Sequence, residues 1–222
     1  MSEPAPRPVP AARRRLDRSA VLAAATGLAR SGGLDELTMR RLAAELGTAP
    51  MSLYRHVADR QDLLQGMLDA VAQGIVLPSA HDDPRSELTA VLTAAHEAFR
   101  RDPWVVPLIA VDGLASPEIL PTVERVLAAL SRSGLPDDEL IGAYVLLWQY
   151  LYGENLASRG AGADNEARRV ARLASEEAFP VLRRLVARSG PAAATDFFEL
   201  NLQRVLDAIL SSPSQLPLAS SP

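Results

Sequence analysis

Side chains able to bind a nucleic acid are concentrated between residues 38 and 60. They carry hydroxyl, phenol, imidazole and guanidinium groups: Thr38, Arg40, Ser52, Tyr54, Arg55, His56 and Arg60. An arginine fork can hydrogen-bond to O6 and N7 of guanine, which is worth roughly 1–3 kcal/mol of discrimination between bases. Tyrosine, histidine and arginine can also hold phosphates, which position a protein on DNA without specifying its sequence. This composition is typical of a DNA-binding surface.

Two short helices are predicted to position these groups. The first has an apolar stripe at the spacing i, i+3, i+4, i+7: Met39, Leu42, Ala43 and Leu46. Gly47 follows it, where a helix most often ends in a residue with positive φ. The second has Leu53 and Val57 on its buried face, which leaves the polar groups on its other faces. Two short helices around a tight glycine turn predict a helix-turn-helix, and an ordinary helical hairpin is the alternative.

Residues at the starts of these helices extend the predicted surface. Thr38 can present a hydroxyl and a backbone N–H to a phosphate. Pro50 and Met51 can contact the methyl group of thymine. For Tyr54 and His56, packing inside the small domain is the competing interpretation.

Charge is unevenly distributed along the 222 residues. Residues 1–66 hold 10 arginines against 7 acidic residues, whereas residues 67–222 hold 13 against 20, and the net charge is −4. A basic amino-terminal part on an acidic body is expected when only one part binds phosphate. Arg13, Arg14 and Arg15 form a basic run before the first helix, either an arm for a DNA groove or a solvated charge run.

Composition argues against several other functions. The chain has no cysteine, no lysine and three histidines, which leaves no P-loop and no recognisable catalytic or metal-binding constellation. Gly160-x-Gly162 lacks the third glycine and the preceding strand of a dinucleotide fingerprint, and His81-Asp82-Asp83 is interpreted as a solvated loop. We therefore predict no enzyme activity, cofactor or metal. Neither a signal core nor an apolar run of about 18 residues is present, so we expect no membrane segment and a cytoplasmic protein.

The whole chain is predicted to be helical. Asp17 or Ser19 can cap a first helix, and a connecting helix is predicted from Arg60 to about Val76. Further helices are predicted at about 84–101, 103–110, 117–133, 137–159, 166–188 and 192–210, three of them opened by Asp-Pro or Ser-Pro pairs. The expected organisation is a disordered arm (1–15), a helix-turn-helix domain (16–62), a ligand-binding and dimerisation domain (63–211) and a disordered tail (212–222).

Two of these helices have unusual apolar patterns. The long helix is almost continuously apolar from Leu140 to Tyr152, which is too short for a bilayer and must be covered by partner helices or a ligand cavity. The last helix has apolar residues spaced 4, 3 and 4 apart, a coiled-coil-like seam: Phe198, Leu202, Val205 and Ile209.

With these residues established, the chain resembles the tetracycline-repressor (TetR) family of bacterial transcription regulators. The resemblance rests on LTMRRLAAELGTAPMSLYRHVADRQDLL (37–64), with weaker likeness in RDPWVV, GLPDDELIGAYVLLWQYLYG and FFELNLQRVLDAIL. It implies a homodimer that binds a palindromic DNA operator, blocks transcription and is released by a small molecule. It also implies that a base is read at Arg40, and that Ser52, Tyr54, His56 and Arg60 touch the operator. Arg55 replaces the bulky aromatic residue of the tetracycline repressor, so a different sequence preference is expected.

The resemblance also implies a regulatory pocket and a dimer interface. Aromatic and hydrogen-bonding residues on the helices expected around the pocket are its candidates, with core packing as the alternative for each: His96, Phe99, Trp104, Tyr144, Trp148, Gln149 and Tyr152. An apolar or aromatic ligand is expected. The segment AVDGLASPE lacks the drug-binding histidine of the tetracycline repressor, and Ala157 stands at the position of its glutamate, so we predict no magnesium–tetracycline site. Dimerisation is expected through the long helix and the last-helix seam.

The sequence leaves two alternatives to this function. An all-helical binding protein whose hairpin has lost DNA affinity would share the same pattern. An enzyme has no supporting residues.

Overall fold

The computed structural model describes residues 16–159, 179–181, 184 and 197–211. Within these ranges every regular element is helical, and the α-helices are numbered α1 to α9. The chain divides into two compact units, Met1–Met67 and Leu68–Pro222. The basic run at residues 13–15 and the predicted helix at 166–188 lie largely or wholly outside the described residues.

Unit 1 contains α1 (Arg18–Gly32), α2 (Met39–Glu45), α3 (Pro50–Leu53) and the beginning of α4 (Arg60–Gln73). Asp17 caps α1, since its carboxylate accepts the backbone N–H of Ala20 at 2.8 Å. Thr38 caps α2 by accepting the N–H of Arg41 at 3.2 Å. The sequence predicts Asp17 or Ser19 as the first cap and Thr38 as the second, and the structure has Asp17 and Thr38. α4 ends three residues before the predicted Val76.

The core of unit 1 is formed by the apolar stripes of its helices. α1 buries Val21, Ala25, Leu28 and Ala29, and the later helices bury Leu42, Ala43, Leu53, Leu63 and Met67. α1 and α4 approach closely at Gly66, where an added Cβ would lie 2.9 Å from Leu22 Cδ2. This packing fixes the small helices α2 and α3, which are too short to be stable alone.

Unit 2 contains α5 (Pro84–Arg101), α6 (Val105–Ala110), a 3₁₀ turn (Pro117–Ile119), α7 (Leu120–Arg132), α8 (Asp137–Arg159) and α9 (Phe198–Leu210). α5 packs against α7, α8 and α9. Asp83 and Ser116 cap their elements as predicted. Asp102 does not open α6, because its fully buried carboxylate accepts the indole N–H of Trp104 at 3.2 Å and pairs with Arg101.

The apolar stripe of α9 faces the core of its own protomer. Phe198, Leu202 and Ile209 are buried, and Phe198 stacks on the His96 ring with centroids 3.7 Å apart. Val205 is half-buried, and Leu206 is buried instead. The residues predicted for a dimer seam are therefore largely used within one chain.

Among the described helices, none is long and apolar enough to cross a membrane.

Candidate nucleic-acid interface and ligand cavity

The turn between α2 and α3 is a Schellman motif. Gly47 has φ 60°, the Thr48 N–H donates to the Ala43 carbonyl at 2.9 Å, and the Gly47 N–H donates to the Ala44 carbonyl at 3.1 Å. A non-glycine residue at position 47 would be strained at this φ. The glycine turn thus ends α2 and allows α3 to begin at Pro50.

Two apolar residues anchor the segment containing α3. Leu53 and Val57 are 0% and 2% exposed. With these residues turned inward, four predicted DNA-contacting residues are exposed: Pro50, Met51, Tyr54 and Arg55. Ser52 and His56 are half-buried. Met51 is 74% exposed, which is unusual for a methionine that serves only a core.

Arg18 and Asp62 hold the chain that follows α3. Arg18 Nη1 donates to the His56 carbonyl at 2.8 Å, and both Arg18 Nη atoms donate to the Asp62 carboxylate at 2.9 and 2.6 Å. The Ala58 N–H adds a third donor to Asp62 at 2.8 Å. The hydrogen bonds from Arg18 and Ala58 lower the pKa of Asp62 to about 2. The position of His56 is therefore fixed by an ionised clamp.

Four described arginines of α2, α4 and the segment after α3 fall into two groups. Arg41 pairs with Glu36, and Arg60 donates to the carbonyls of Leu37 at 2.7 Å and Leu34 at 3.3 Å. Arg60 thus supports the connection between α1 and α2, in addition to any role on DNA. Arg40 and Arg55 are exposed, and their guanidinium groups have no hydrogen bond or ion pair among residues 16–67 of unit 1. Thr38 is exposed at the start of α2.

Unit 2 encloses an apolar cavity of about 160 Å³. α4 contributes Leu68, Val71 and Ala72 to its wall. α8 contributes three aromatic residues four apart, Tyr144, Trp148 and Tyr152, whose neighbouring rings lie 6.0 Å apart. The segment from α6 to α7 supplies further apolar residues and the hydroxyl of Ser116.

The cavity includes four of the seven residues predicted for a ligand pocket. Phe99 lines it together with the α8 aromatics. His96 lies elsewhere, between Phe198 and Asn155, whose amide is 3.1 Å from His96 Nδ1. Trp104 is buried against Asp102. Gln149 is exposed in an open groove that adjoins the same three aromatic rings.

Among the described residues that line the cavity, none has a charged side chain. Burial raises the pKa of Tyr144 and raises that of Tyr152 to about 12, so both phenols stay protonated near neutral pH. The sequence interpretation missed Ser116 and the α4 wall. The signal for the latter was the spacing of Leu68, Val71 and Ala72, which continues the apolar stripe of α4 beyond unit 1.

A second group of apolar residues is exposed on the protomer. Five apolar side chains of α8 and α9 are 41–62% exposed: Ile141, Val145, Leu146, Leu156 and Leu200. The long apolar run is therefore buried at the cavity and along the face that carries Leu147 and Leu151, whereas its remaining apolar side chains are exposed in the part of the chain that the structure describes. A group of exposed apolar side chains of this kind is typical of an interaction surface.

A helix-turn-helix unit and a helical unit with an apolar cavity, connected by the single helix α4, define a class of ligand-binding transcription regulators. Family models for "Bacterial regulatory proteins, tetR family" and "Tetracyclin repressor-like, C-terminal domain" match residues 21–67 and 77–212. The chain belongs to the TetR family.

Several known proteins are similar over most of the chain. The HTH-type transcriptional repressor DrrR1 of Streptomyces coeruleorubidus is 34% identical, covering 87% of this chain and 76% of its own. The class A tetracycline repressor from transposon 1721 of Escherichia coli is 25% identical, over 88% and 91% of the two chains. The structure of Streptomyces coelicolor ActR in complex with actinorhodin has a TM-score of 0.70 and 26% identity, covering 91% of this chain and 100% of that one.

Proposed function

We propose that this protein is a homodimeric repressor that binds a palindromic DNA operator and is released by an uncharged, largely apolar aromatic molecule. The observation that carries the proposal is the course of α4. This helix begins at Arg60, next to the helix-turn-helix, and its later residues Leu68, Val71 and Ala72 form part of the cavity wall. No step of this function requires catalysis, and contact with chromosomal DNA requires a cytoplasmic protein.

The DNA-binding part of the proposal rests on exposed groups held by a rigid scaffold. The guanidinium groups of Arg40 and Arg55 retain all their N–H donors for DNA, because no described group of unit 1 accepts from them. Tyr54 and Thr38 add hydroxyl groups for phosphates, and Met51 an apolar contact. Binding through phosphates should weaken steeply as the salt concentration rises.

The class of ligand follows from the cavity wall. Burying a charged ligand in the cavity, where no described lining residue offers an opposite charge, costs several kcal/mol or more of binding free energy. A neutral molecule is therefore favoured. Offset or edge contacts with Tyr144, Trp148 and Tyr152 favour aromatic rings. The protonated Tyr152 phenol can donate a hydrogen bond to a ligand oxygen or nitrogen. The relative ActR has been solved with actinorhodin.

Release follows if the ligand and the operator prefer different positions of α4. A ligand that enlarges the cavity bears on Leu68 and Val71, and α4 is continuous with the unit that holds the DNA-contacting residues. The two binding events are then coupled by one free energy and oppose each other to the same extent.

A partner copy is proposed to cover the exposed apolar residues of α8 and α9. Ile141, Val145, Leu146 and Leu200 are too exposed to serve the protomer core. A symmetric interface of helices would bury them in both copies and place two reading heads on one operator.

A matched pair of dyes tests the ligand class. N-phenyl-1-naphthylamine is neutral and aromatic, and 8-anilinonaphthalene-1-sulfonate is the same skeleton with a negative charge. In a Trp104→Phe variant, Trp148 is the remaining tryptophan and reports binding at the cavity by fluorescence. We expect the neutral dye to change Trp148 emission and to release a duplex taken from upstream of the protein's own gene. Equal binding of both dyes, or release by neither, would contradict the proposal.

The alternative, a helical binding protein that has lost DNA affinity, makes a different prediction for the same experiment. It would bind the neutral dye at the cavity but show no specific binding to the duplex at low salt.

A further inference from the structure

A side-chain hydrogen bond connects α4 to the segment that precedes the 3₁₀ turn. Ser116 is 6% exposed, and its hydroxyl lies 2.7 Å from Asp69 Oδ1. The same hydroxyl oxygen accepts the Glu118 N–H at 3.2 Å. Because a carboxylate can only accept and the hydroxyl has a single proton, Ser116 must donate that proton to Asp69.

Ser116 lines the cavity, and Asp69 lies on α4, the helix that forms another part of the wall. Asp69 follows the cavity residue Leu68 on α4, whereas Ser116 ends the segment that leads from α6 to the 3₁₀ turn and lines the cavity with Leu114 and Ala115. The hydrogen bond therefore joins α4 to that segment at the edge of the cavity.

The size of the cavity bears on this bond. Pockets for drug-sized ligands measure about 300–1,000 Å³, and this cavity measures about 160 Å³. A ligand of that class that fills the cavity beside Ser116, instead of extending into the open groove beside Gln149, must therefore move parts of the wall outward. A bond 2.7 Å long that joins two parts of the wall opposes such movement until it breaks.

We propose that the Ser116–Asp69 hydrogen bond is a latch that holds α4 in its DNA-binding position and that breaks when a ligand enlarges the cavity. The inference rests on the proposed function. Ser116 and Asp69 act as positioning residues, which set how much ligand is needed for release without contacting DNA.

A latch has a quantitative signature that a merely structural bond lacks. In a two-state equilibrium, weakening the DNA-binding state raises the operator dissociation constant and lowers the ligand dissociation constant. The fold rise in the operator dissociation constant, multiplied by the fold fall in the ligand dissociation constant, equals the factor by which the equilibrium constant between the two states changes. For one hydrogen bond of ordinary strength this product is about fivefold.

The test uses Ser116→Ala in the full-length protein. Operator affinity is measured by anisotropy of a labelled duplex from upstream of the gene, and ligand affinity by titration with N-phenyl-1-naphthylamine in the absence of DNA. Ser86→Ala is the matched control, since it removes another serine-to-aspartate hydrogen bond of 2.7 Å at the start of α5, where no residue lines the cavity. We expect a product of about fivefold for Ser116→Ala and about one for the control.

A double-mutant cycle with Asp69→Ala separates the pair from the other contacts of each residue. If the effects were independent, the product of fold-changes for the double variant would equal the products for the two single variants multiplied together. We expect it to be smaller than that by the same factor of about five. A product near one, or a loss of dye affinity together with operator affinity, would overturn the latch. If the dye fails to release the wild-type protein from the duplex, the proposed function fails first, and the latch fails with it.

Discussion

Arg18 and Asp62 form a two-pronged ion pair, with Nη–Oδ distances of 2.9 and 2.6 Å, that also holds the backbone carbonyl of His56. The pair connects the first turn of α1 to the first turn of α4 and lies beside the segment that contacts DNA in our proposal. Its strength can be measured through pH, because the pKa of Asp62 is lowered to about 2 from 3.8.

Replacing Asp62 with asparagine should destabilise unit 1 by about 1 kcal/mol near pH 7, since the pair is partly exposed and screened. A carboxylate with a lowered pKa stabilises the fold above its unfolded value of 3.8, and that contribution is lost as the pH falls towards 2. The difference in free energy of unfolding between wild type and Asp62→Asn should therefore be largest at pH 6 and should decrease between pH 4 and pH 2. Urea unfolding over this pH series is the measurement.

Asp35→Asn is the control, because Asp35 is an exposed aspartate of the same unit. It should leave stability nearly unchanged at every pH. A gap for Asp62→Asn that stays constant down to pH 2 would show that the charge of Asp62 is not what stabilises the clamp.

The helix-turn-helix was largely predictable from the sequence because its information is local. The stripe of α2, the positive φ at Gly47 and the buried pair Leu53 and Val57 all follow from helical spacing and from the conformational freedom of glycine. The role of Arg60 was not predictable in this way. Its guanidinium reaches carbonyls more than twenty residues earlier, and no local pattern indicates such a contact.

Two arginines should dominate DNA affinity. Arg40→Ala is expected to cost roughly 1–3 kcal/mol at the preferred sequence and much less on unrelated DNA, as for a base contact. If Arg55 holds a phosphate, Arg55→Ala should weaken binding to all sequences and reduce the slope of log affinity against log salt by about one per contact. Anisotropy titrations at several salt concentrations give both quantities.

Arg41→Ala is the matched control for these variants, since Arg41 neighbours Arg40 but pairs with Glu36. It should have a smaller effect than either. Equal losses for all three arginines would indicate a general effect of charge, not the specific surface proposed.

The phenol of Tyr152 should make the protein sensitive to alkali. Burial raises its pKa to about 12 from 10.0, so the unfolded chain loses this proton first as the pH rises. Stability from this residue is complete below pH 10 and is lost as the pH rises from there towards 12. Tyr152→Phe should flatten the fall in melting temperature over that range.

Tyr54→Phe provides the comparison for Tyr152→Phe, because Tyr54 is 45% exposed and belongs to unit 1. A pH profile that Tyr152→Phe leaves as steep as wild type would contradict the assignment of the raised pKa to this phenol.

The proposed dimer surface predicts opposite results for two leucines. Leu146→Glu changes a side chain that is 46% exposed, so the protomer should stay folded and elute as a monomer in size-exclusion chromatography. Leu202→Glu places a charge where the side chain is 0% exposed, which should cost more than about 3 kcal/mol and unfold unit 2. A folded monomer from Leu202→Glu would place the interface at the α9 seam that the sequence predicts.

Unit 2 was harder to predict because periodicity shows which face of a helix is buried but not what covers it. The spacing of Phe198, Leu202 and Ile209 indicated a packed seam, and the packing partner proved to be the protomer's own core, including His96. The same limit applies to the cavity. Aromatic residues four apart on α8 predicted a wall at Tyr144, Trp148 and Tyr152, whereas the wall formed by α4 requires the chain to fold back in space.

In our proposal, one chain couples the binding of an operator to the binding of a neutral aromatic ligand. The most direct measurement is an anisotropy titration of the wild-type protein with the labelled upstream duplex, repeated with saturating N-phenyl-1-naphthylamine. We expect specific binding that weakens at least about tenfold with the dye, the coupling of a typical allosteric protein. Specific binding that is absent at about 50 mM salt, or unchanged by dye that demonstrably occupies the cavity, would contradict the account.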